Sequence, residues 1–390
     1  MEKVFIVLSV TLLAAGTRGQ TQSSDMQELA GRNADFATAL YREIASTSDD
    51  NFAFSPLAAS LSLASLAAGA EENTRKELLQ TLNLAPMDRE GEPERIPALL
   101  QQINEAVGQI VVTGLFISRQ VQVESSFSSL VKKFYNADVK NVEFSNTQAT
   151  KASIREYITS NTGNKIRELL DTVDPQSQLM LISAAYFTGH WKLPFNSSFT
   201  QEERFYIDKY HIVQVPMMVR SDKYYLAYDP SLKVGILKLP CTDGTAMLVL
   251  LPDEGVDYTA VDEALTAEAF LGWVAKLKKT KLEVQIPRFS VEYSFSLKKS
   301  LHSLGFTKFQ DSADLQYLSK SSELKLSEAL QKVLVEVDEQ EGLDAPSSSS
   351  IFMETLPPRL TFNRPFLFLV YHEATKSLLH MGRVIDPTKK

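Results

Sequence analysis

The sequence has 390 residues, of which 44% are hydrophobic and 23% charged. This is an ordinary globular composition, and it fits one large domain or a few small ones. Cys241 is the only cysteine, which excludes an internal disulfide and a cysteine-rich zinc site. The net charge of -8 argues against nonspecific nucleic-acid binding, which requires a basic surface.

The N-terminus has the layout of a secretory signal peptide. Lys3 precedes an apolar run of about 12 residues, 4–15, and small residues follow up to Gly19. A helix that spans a bilayer needs about 20 residues, so this run is too short to be a membrane anchor. We therefore predict a signal peptide over residues 1–19 and a secreted protein without a membrane segment. A buried N-terminal strand is the alternative.

Helical periodicity and strand-like runs follow along the rest of the chain. The segments in which apolar residues recur at helical intervals are 26–44, 57–70, 71–84, 99–110, 125–135, 147–162, 262–276 and 296–304. The runs of β-branched and bulky residues that predict strands are 110–117, 121–123, 179–187, 213–218, 234–239, 246–251, 282–287, 333–337 and 360–371. Helices dominate early and strands late, without a linker or a repeat, so we predict one α+β domain.

One Asn-x-Ser/Thr triplet lies between these elements, Asn196-Ser-Ser198. It has the acceptor pattern for N-linked glycosylation, which takes place on the secretory route. We therefore expect a glycan on Asn196.

A basic cluster follows the helix predicted to end at residue 276. It consists of Lys276, Lys278, Lys279 and Lys281. Cations at the C-terminal end of a helix are stabilised by the helix dipole, which is one interpretation of the cluster. The other is a patch that binds a sulfated polysaccharide such as heparin.

A long segment without periodicity, residues 338–357, separates the last two predicted strands. It includes four consecutive serines, 347–350. Unstructured loops of more than about 12–15 residues are uncommon in compact domains and are usually functional or disordered. Two interpretations are open: a solvated linker, or an exposed bait or binding loop held between two anchored strands.

Sequence motifs for catalysis and for cofactor binding are missing. The chain has no nucleophile elbow, P-loop, dinucleotide-binding glycine motif or zinc-protease motif. The five histidines are scattered along the chain: His190, His211, His302, His372 and His380. We interpret them as surface or packed side chains and Cys241 as a structural thiol. The prediction is a protein that is not an enzyme and uses no metal or cofactor.

The C-terminal region carries the most specific signature. Phe362-Asn-Arg-Pro-Phe-Leu-Phe368, Met381-Gly-Arg-Val384 and Asp386-Pro387 resemble the closing signature of the serpins, protease inhibitors that work by loop insertion. Further serpin-like motifs occur in the family's order: Asn51-Phe-Ala-Phe-Ser55-Pro56, Gly69-Ala-Glu-Glu-Asn-Thr74, Ala185-Tyr-Phe-Thr-Gly-His-Trp191, Val215-Pro-Met-Met218, Leu251-Pro252, Pro287-Arg-Phe289 and Leu304-Gly305. The resemblance covers residues 30–387, and segment 205–210 is most similar to the secreted antitrypsin-like clade.

The resemblance implies a single serpin domain over residues 25–388, with three β-sheets and about nine helices. It also implies that residues 338–357 are the reactive-centre loop. In the family, a serine protease attacks this loop and becomes esterified to it, and the cut loop inserts as a new strand in the central sheet. The expected partners are a target serine protease and a heparin-like glycosaminoglycan, and the expected protein is an extracellular monomer.

The hinge of the loop departs from the family pattern of two acidic residues, Gly, Thr, Glu and several Ala. The chain has Glu339-Gln-Glu-Gly342-Leu343-Asp-Ala345-Pro346-Ser347. Leu343 replaces the small Thr, and Pro346 cannot donate to a sheet ladder. With Gly342 as the hinge glycine, positions 343, 345, 347 and 349 face inward and are mostly small. We expect hampered insertion, so a non-inhibitory binding or carrier protein remains the alternative.

The position of the cleaved bond follows from the end of the loop. Thr355-Leu-Pro-Pro358 resembles the family's Ser-x-Pro-Pro step, which implies cleavage between Glu354 and Thr355. A chymotrypsin- or elastase-like enzyme would cut after Met353 or Phe352 instead.

The resemblance also identifies a gate in the central sheet. Family members usually have Asn and His there, and this chain has Ser183 and Gln331, with Ser55 beside them. The replacement is expected to change how easily the sheet opens.

Overall fold

A computed structural model of the protein describes residues 2–306, 314–320, 324–339 and 357–389, with side chains from residue 24 onward. Nine α-helices lie in this part of the chain: α1 (Glu2–Thr47), α2 (Pro56–Ala67), α3 (Glu72–Thr81), α4 (Arg95–Val107), α5 (Ser125–Tyr135), α6 (Thr147–Asn161), α7 (Thr259–Ala264), α8 (Ala267–Lys276) and α9 (Leu297–Ser303). The helix predicted from residue 26 is thus part of a longer one. No helix in the described ranges combines the length and apolarity needed to cross a membrane.

Fourteen strands lie in the same described residues. They are β1 (Phe52–Phe54), β2 (Ile110–Ser118), β3 (Ala137–Val142), β4 (Leu179–Thr188), β5 (Gln201–Tyr206), β6 (Ile212–Asp229), β7 (Val234–Pro240), β8 (Thr245–Pro252), β9 (Lys278–Pro287), β10 (Phe289–Ser296), β11 (Leu326–Val337), β12 (Arg359–Thr361), β13 (Phe366–His372) and β14 (Leu378–Val384). Helices and sheets form one α+β fold, as predicted.

The strands form two hydrogen-bonded sheets in the described chain. The central sheet has five strands in the order β10-β11-β4-β2-β3. The second sheet has nine strands, in the order β1-β14-β13-β8-β7-β6-β9-β12, and β5 pairs with β6. Hydrogen bonding in the described residues thus counts two sheets where three were expected. The 18-residue strand β6 joins two of them, because it pairs with β5 at one end and with β7 at the other.

Two predicted elements are interrupted in the structure. The helix predicted over 262–276 divides into α7 and α8, and the Thr266 side chain caps α8 by accepting a hydrogen bond from the Ala269 N–H. The strand predicted over 360–371 divides into β12 and β13 around Pro365. Periodicity does not detect such breaks, since apolar residues continue on both sides of them.

The C-terminal signature residues are buried where the start and end of the chain meet. Arg383 forms an ion pair with Asp262 at 2.5 Å, and the Tyr41 hydroxyl donates to the same carboxylate at 2.6 Å. A Cβ on Gly382 would lie 2.2 Å from the carbonyl oxygen of Phe52, so only glycine fits there. The signature therefore joins α1, α7, β1 and β14.

Candidate functional site

The central sheet contains a parallel junction between β4 and β11, which we call the seam. The two strands are parallel neighbours, and their register runs from Leu326↔Leu179 to Glu336↔Thr188. Ile182 and its even-numbered neighbours pack in one apolar cluster with α6, whereas Leu181 and its odd-numbered neighbours pack in the main core with α2. The apolar run at 179–187 is therefore a strand covered on both faces, as its composition predicts.

The predicted gate residues meet in the middle of the seam. Gln331 and Ser183 are register partners, and Gln331 is fully buried. Its side-chain oxygen accepts from the Ser55 N–H at 2.7 Å, and its Nε2 donates to the Ser55 carbonyl at 3.0 Å. The Ser55 hydroxyl donates to the Leu379 carbonyl at 2.7 Å. One amide thus links β11 to the start of α2, across 276 residues of sequence.

The end of β11 is held by contacts that precede the loop directly. Buried Glu339 accepts hydrogen bonds from the Thr200 hydroxyl and the Arg288 guanidinium, both at 2.6 Å. Burial alone would raise the pKa of this carboxyl, but the hydrogen bonds from Arg288 and Thr200 outweigh burial and lower the pKa below its usual value. The indole N–H of Trp191 donates to the Asp338 carbonyl at 2.9 Å. The predicted hinge residue Glu339 therefore attaches the end of β11 to Thr200 and Arg288 through its charged side chain.

A second set of contacts crosses the seam near the same end. The Tyr186 hydroxyl of β4 donates to Glu336 of β11 at 2.7 Å. Lys165, which follows α6, lies 3.7 Å from the Glu336 carboxylate and 5.0 Å from the centre of the Tyr186 ring. These three side chains, which we call the clasp, link β4 to β11 at the Glu336 end of the seam. Nothing in the sequence around Lys165 indicates this role.

The chain leaves the loop in the other sheet. Arg359–Thr361 forms β12, which pairs with β9. Arg359 forms an ion pair with Glu283 at 2.6 Å, and the Thr361 hydroxyl donates to Gln285 at 2.9 Å. The two ends of the predicted reactive-centre loop are therefore anchored on different sheets.

Several predicted loop residues lie outside the described ranges. These are Gly342, Leu343 and Ala345 of the hinge, and Phe352, Met353, Glu354 and Thr355 at the candidate cleavage sites. Their roles remain predictions.

Comparison with known proteins decides the family. The family model described as serpin (serine protease inhibitor) matches residues 31–387. The chain belongs to the serpin family. It is 32% identical over 372 residues to protein Z-dependent protease inhibitor of Mus musculus, which covers 93% of this chain and 83% of that protein. The description of the family model names protease inhibitors and not catalysts.

Two solved serpin structures are similar over nearly the whole chain. The crystal structure of mouse protein-Z dependent protease inhibitor superposes with a TM-score of 0.87 at 30% identity, over 94% of this chain and 99% of that chain. Human thyroxine-binding globulin, complexed with its ligand, gives 0.85 at 28% identity, over 93% and 99%. The predicted fold class is confirmed. The family includes an inhibitor and a binding protein, the two functions that the sequence leaves open.

The glycosylation acceptor lies on the surface of the serpin domain. Asn196 is exposed and precedes a short 3-10 helix, Ser197–Phe199. Its side-chain oxygen accepts a hydrogen bond from the Ser198 N–H at 2.9 Å. The acceptor nitrogen therefore sits in a local turn that an enzyme can reach.

The lysine cluster has a different geometry from the predicted one. Lys276 is the last residue of α8, but Lys278, Lys279 and Lys281 belong to β9. Because strand residues alternate between faces, Lys279 and Lys281 share one face and Lys278 points to the other. Lys223 of β6 is the register partner of Lys281 and joins that face. We call Lys223, Lys279 and Lys281 the basic patch, and the four-lysine heparin site stays a prediction.

The isolated thiol and the last histidine are buried in this serpin. Burial raises the pKa of Cys241 to about 12, as expected for a structural thiol. Burial lowers the pKa of His380 to about 3. Its Nε2 lies 2.9 Å from the Gln109 side-chain oxygen. Both are packed side chains.

We expect Gln331→Leu to lower the free energy of unfolding by about 1–3 kcal/mol, because the buried Ser55 N–H loses its partner. Denaturant titration of the purified protein measures the loss. Ser183→Ala is the matched control, since the Ser183 hydroxyl is 3.4 Å from Gln331 and makes a weak contact. Equal losses in the two variants would contradict the central role of Gln331.

Proposed function

We propose that this serpin is a secreted, monomeric inhibitor of serine endopeptidases that acts by loop cleavage, covalent trapping and strand insertion. One observation carries the proposal: the loop begins at the end of β11, whose parallel neighbour in the central sheet is β4. A segment that turns back after β11 runs antiparallel to β11, and therefore antiparallel to β4 as well. It would form two antiparallel ladders in place of one parallel ladder.

Cleavage is needed because the other end of the loop is held. Arg359–Thr361 is paired with β9 in the nine-stranded sheet, so the intact loop cannot enter the seam along its length. A cut after Glu354 frees residues 340–354, which are fifteen residues. The seam strand β4 has ten residues. The freed segment is therefore long enough to line the whole seam.

The trapping step follows from the chemistry of serine proteases. The serine hydroxyl of the protease attacks the Glu354 carbonyl, a C–O bond forms and the peptide C–N bond breaks. The amine of Thr355 leaves with a proton, and an ester joins Glu354 to the protease. If insertion is faster than hydrolysis of the ester, the protease is carried along while still attached.

The alternative is a serpin-fold carrier whose loop does not insert. It is favoured by Leu343 and Pro346 in the hinge, and human thyroxine-binding globulin is a structural relative. Positions 343, 345, 347 and 349 would still face inward with mostly small side chains. This pattern supports inhibition.

The test is to mix the purified protein with trypsin-, chymotrypsin- and elastase-like proteases. We expect a complex that survives detergent with an enzyme that cuts after Glu354, Met353 or Phe352. Residues 340–356 contain no Lys or Arg, so the trypsin-like enzyme is the negative control. Mass spectrometry of the released C-terminal fragment identifies the bond, since cleavage after Glu354 gives a fragment that starts at Thr355. Cleavage without any trapped enzyme would support the carrier alternative.

We also propose that the chain is processed on the secretory route, with residues 1–19 removed and Asn196 glycosylated. N-terminal sequencing of the protein from culture medium should start near Gln20. An intact Met1 would contradict signal cleavage. A mass shift with glycosidase that is lost in Asn196→Gln would support the glycan.

The basic patch is proposed to bind a heparin-like glycosaminoglycan. Lys279 and Lys281 belong to β9, the strand that pairs with β12 at the end of the loop, and Lys223 belongs to the neighbouring strand β6. We expect their joint replacement by Ala to weaken heparin binding roughly tenfold at physiological salt. Retention of the wild type should fall as salt rises.

A matched control uses the two lysines that the structure separates from this face. Lys276→Ala with Lys278→Ala removes nearby charge but leaves the patch intact. Heparin chromatography compares both variants with the wild type. If the control loses as much retention as the patch variant, binding depends on general charge and not on the patch.

A further inference from the structure

The clasp crosses the seam on the face of the central sheet that α6 covers. Tyr186 of β4 and Leu334 of β11 are register partners, and both pack in the apolar cluster that contains Tyr157 and Ile158 of α6. Strand residues two apart share a face, so Glu336 points to this side as well. The Tyr186 hydroxyl reaches diagonally across the seam and donates to the Glu336 carboxylate at 2.7 Å. Burial and this hydrogen bond raise the pKa of Tyr186, so its hydroxyl keeps the proton that it donates.

Lys165 adds a weaker contact to the clasp. Its ammonium lies 3.7 Å from the Glu336 carboxylate, and hydrogen bonding to Tyr186 raises the pKa of Lys165. Half of the Lys165 side chain is exposed, so its ion pair with Glu336 is screened by solvent and salt. The hydrogen bond between Tyr186 and Glu336 is therefore the main link of the clasp.

The clasp is incompatible with a strand in the seam. Because β4 and β11 are hydrogen-bonded neighbours, their axes lie about 4.8 Å apart. A strand between them would double that spacing and move the Tyr186 hydroxyl to about 7 Å from Glu336, beyond hydrogen-bond distance. Glu339, the last described residue before the loop, follows Glu336 by three positions. A segment that folds back after β11 therefore meets the clasp early in its entry.

We propose that the clasp sets the rate at which the seam opens to an entering strand, with Tyr186 and Glu336 as the residues that determine this rate. The inference rests on the proposed function, because the entering strand is the cleaved loop. The clasp stabilises the closed seam and is broken in the open one. An interaction that is lost before the transition state raises the barrier, so the clasp slows strand entry. It thereby affects how much protease is trapped before the ester is hydrolysed.

The first test measures strand entry without a protease. A fluorescently labelled peptide with the sequence of residues 340–354 is mixed with the whole secreted protein, and the rise in anisotropy gives the rate of entry. Tyr186→Phe keeps the ring and removes the donor, so the peptide should enter about threefold to tenfold faster than in the wild type. Glu336→Gln keeps a neutral acceptor and should give a smaller increase. An unchanged rate in Tyr186→Phe would overturn the proposal, and if that variant does not fold, Glu336→Gln decides in the same way.

Tyr157→Phe is the matched control. Tyr157 is 8% exposed and Tyr186 7%, and both lie in the same apolar cluster. The Tyr157 hydroxyl donates to the Thr113 carbonyl at 2.7 Å, but Thr113 belongs to β2, which does not border the seam. This variant loses a comparable hydrogen bond away from the seam, so the peptide should enter as in the wild type. If Tyr157→Phe accelerates entry as much as Tyr186→Phe, the effect is a general loosening of the fold and the proposal is overturned.

A second readout separates this inference from the proposed function. The fraction of trapped protease is measured on the same variants by gel analysis, and it should rise with the rate of peptide entry. Faster peptide entry in Tyr186→Phe without any trapped protease would support the clasp and contradict inhibition. Trapped protease with equal peptide entry in all variants would support inhibition and overturn the role of the clasp. Absence of peptide entry in every variant would contradict both.

Discussion

Cleavage of the loop between Ser348 and Thr355 is expected to raise the melting temperature by at least about 10 °C. Ten inserted residues would add ladder hydrogen bonds worth about 1 kcal/mol each, or about 10 kcal/mol in total. For a chain of this length, that gain corresponds to a shift of about 10 °C or more. The cut changes only the connectivity, so the gain must come from the new strand in the seam.

Calorimetry before and after limited proteolysis measures this shift. In the control, a peptide with the sequence of residues 340–354 is added before cleavage, so that it occupies the seam and prevents the loop from inserting. Cleavage of this peptide-bound protein should not raise its melting temperature further. An unchanged melting temperature without peptide would mean that the cut loop stays outside the sheet, as in a carrier.

Leu343→Arg is expected to convert the inhibitor into a substrate. Position 343 faces inward in the predicted register, and an unpaired buried charge costs several kcal/mol. Each 1.4 kcal/mol or so added to the insertion barrier slows it about tenfold relative to hydrolysis of the ester. The fraction of protease trapped should therefore fall at least tenfold, while cleavage continues. Gel analysis of complex against cleaved inhibitor measures the partition.

Asp344→Arg is the matched control, because it introduces the same side chain at the next, outward-facing position. It should trap protease like the wild type. If Leu343→Arg also traps like the wild type, the hinge register is wrong. If both variants lose protease trapping equally, the loss is due to the added charge in the loop and not to burial of that charge.

The elements were predictable where the signal is local. The helix over Ser125–Tyr135 has the predicted bounds, and the apolar run at 179–187 is a strand buried on both faces. The short run at 121–123 is not a strand, and β1, β3, β5, β10 and β14 were not predicted. Exposed strands such as β5, with one buried residue, Phe205, lack the apolar run that marks a buried strand.

The site was predictable only in part, and only because the sequence resembles a known family. That resemblance names Ser55, Ser183 and Gln331, and the structure brings them together. It does not name Thr200, which donates a hydrogen bond to Glu339. Nor does it name Lys165, which pairs with Glu336 across the seam. Arg288 lies in one of the quoted motifs, but its role as the partner of Glu339 is visible only in the fold.

Composition, periodicity and motif order were enough to predict the α+β class and the family, because both depend on patterns among neighbouring residues. Which strands become neighbours depends on contacts between residues far apart in the chain, as with Ser55 and Gln331. Strand pairing also decided that Lys223 joins Lys279 and Lys281 while Lys278 faces away. The anchoring of the loop also depends on the tertiary structure, because its two ends are attached to different sheets.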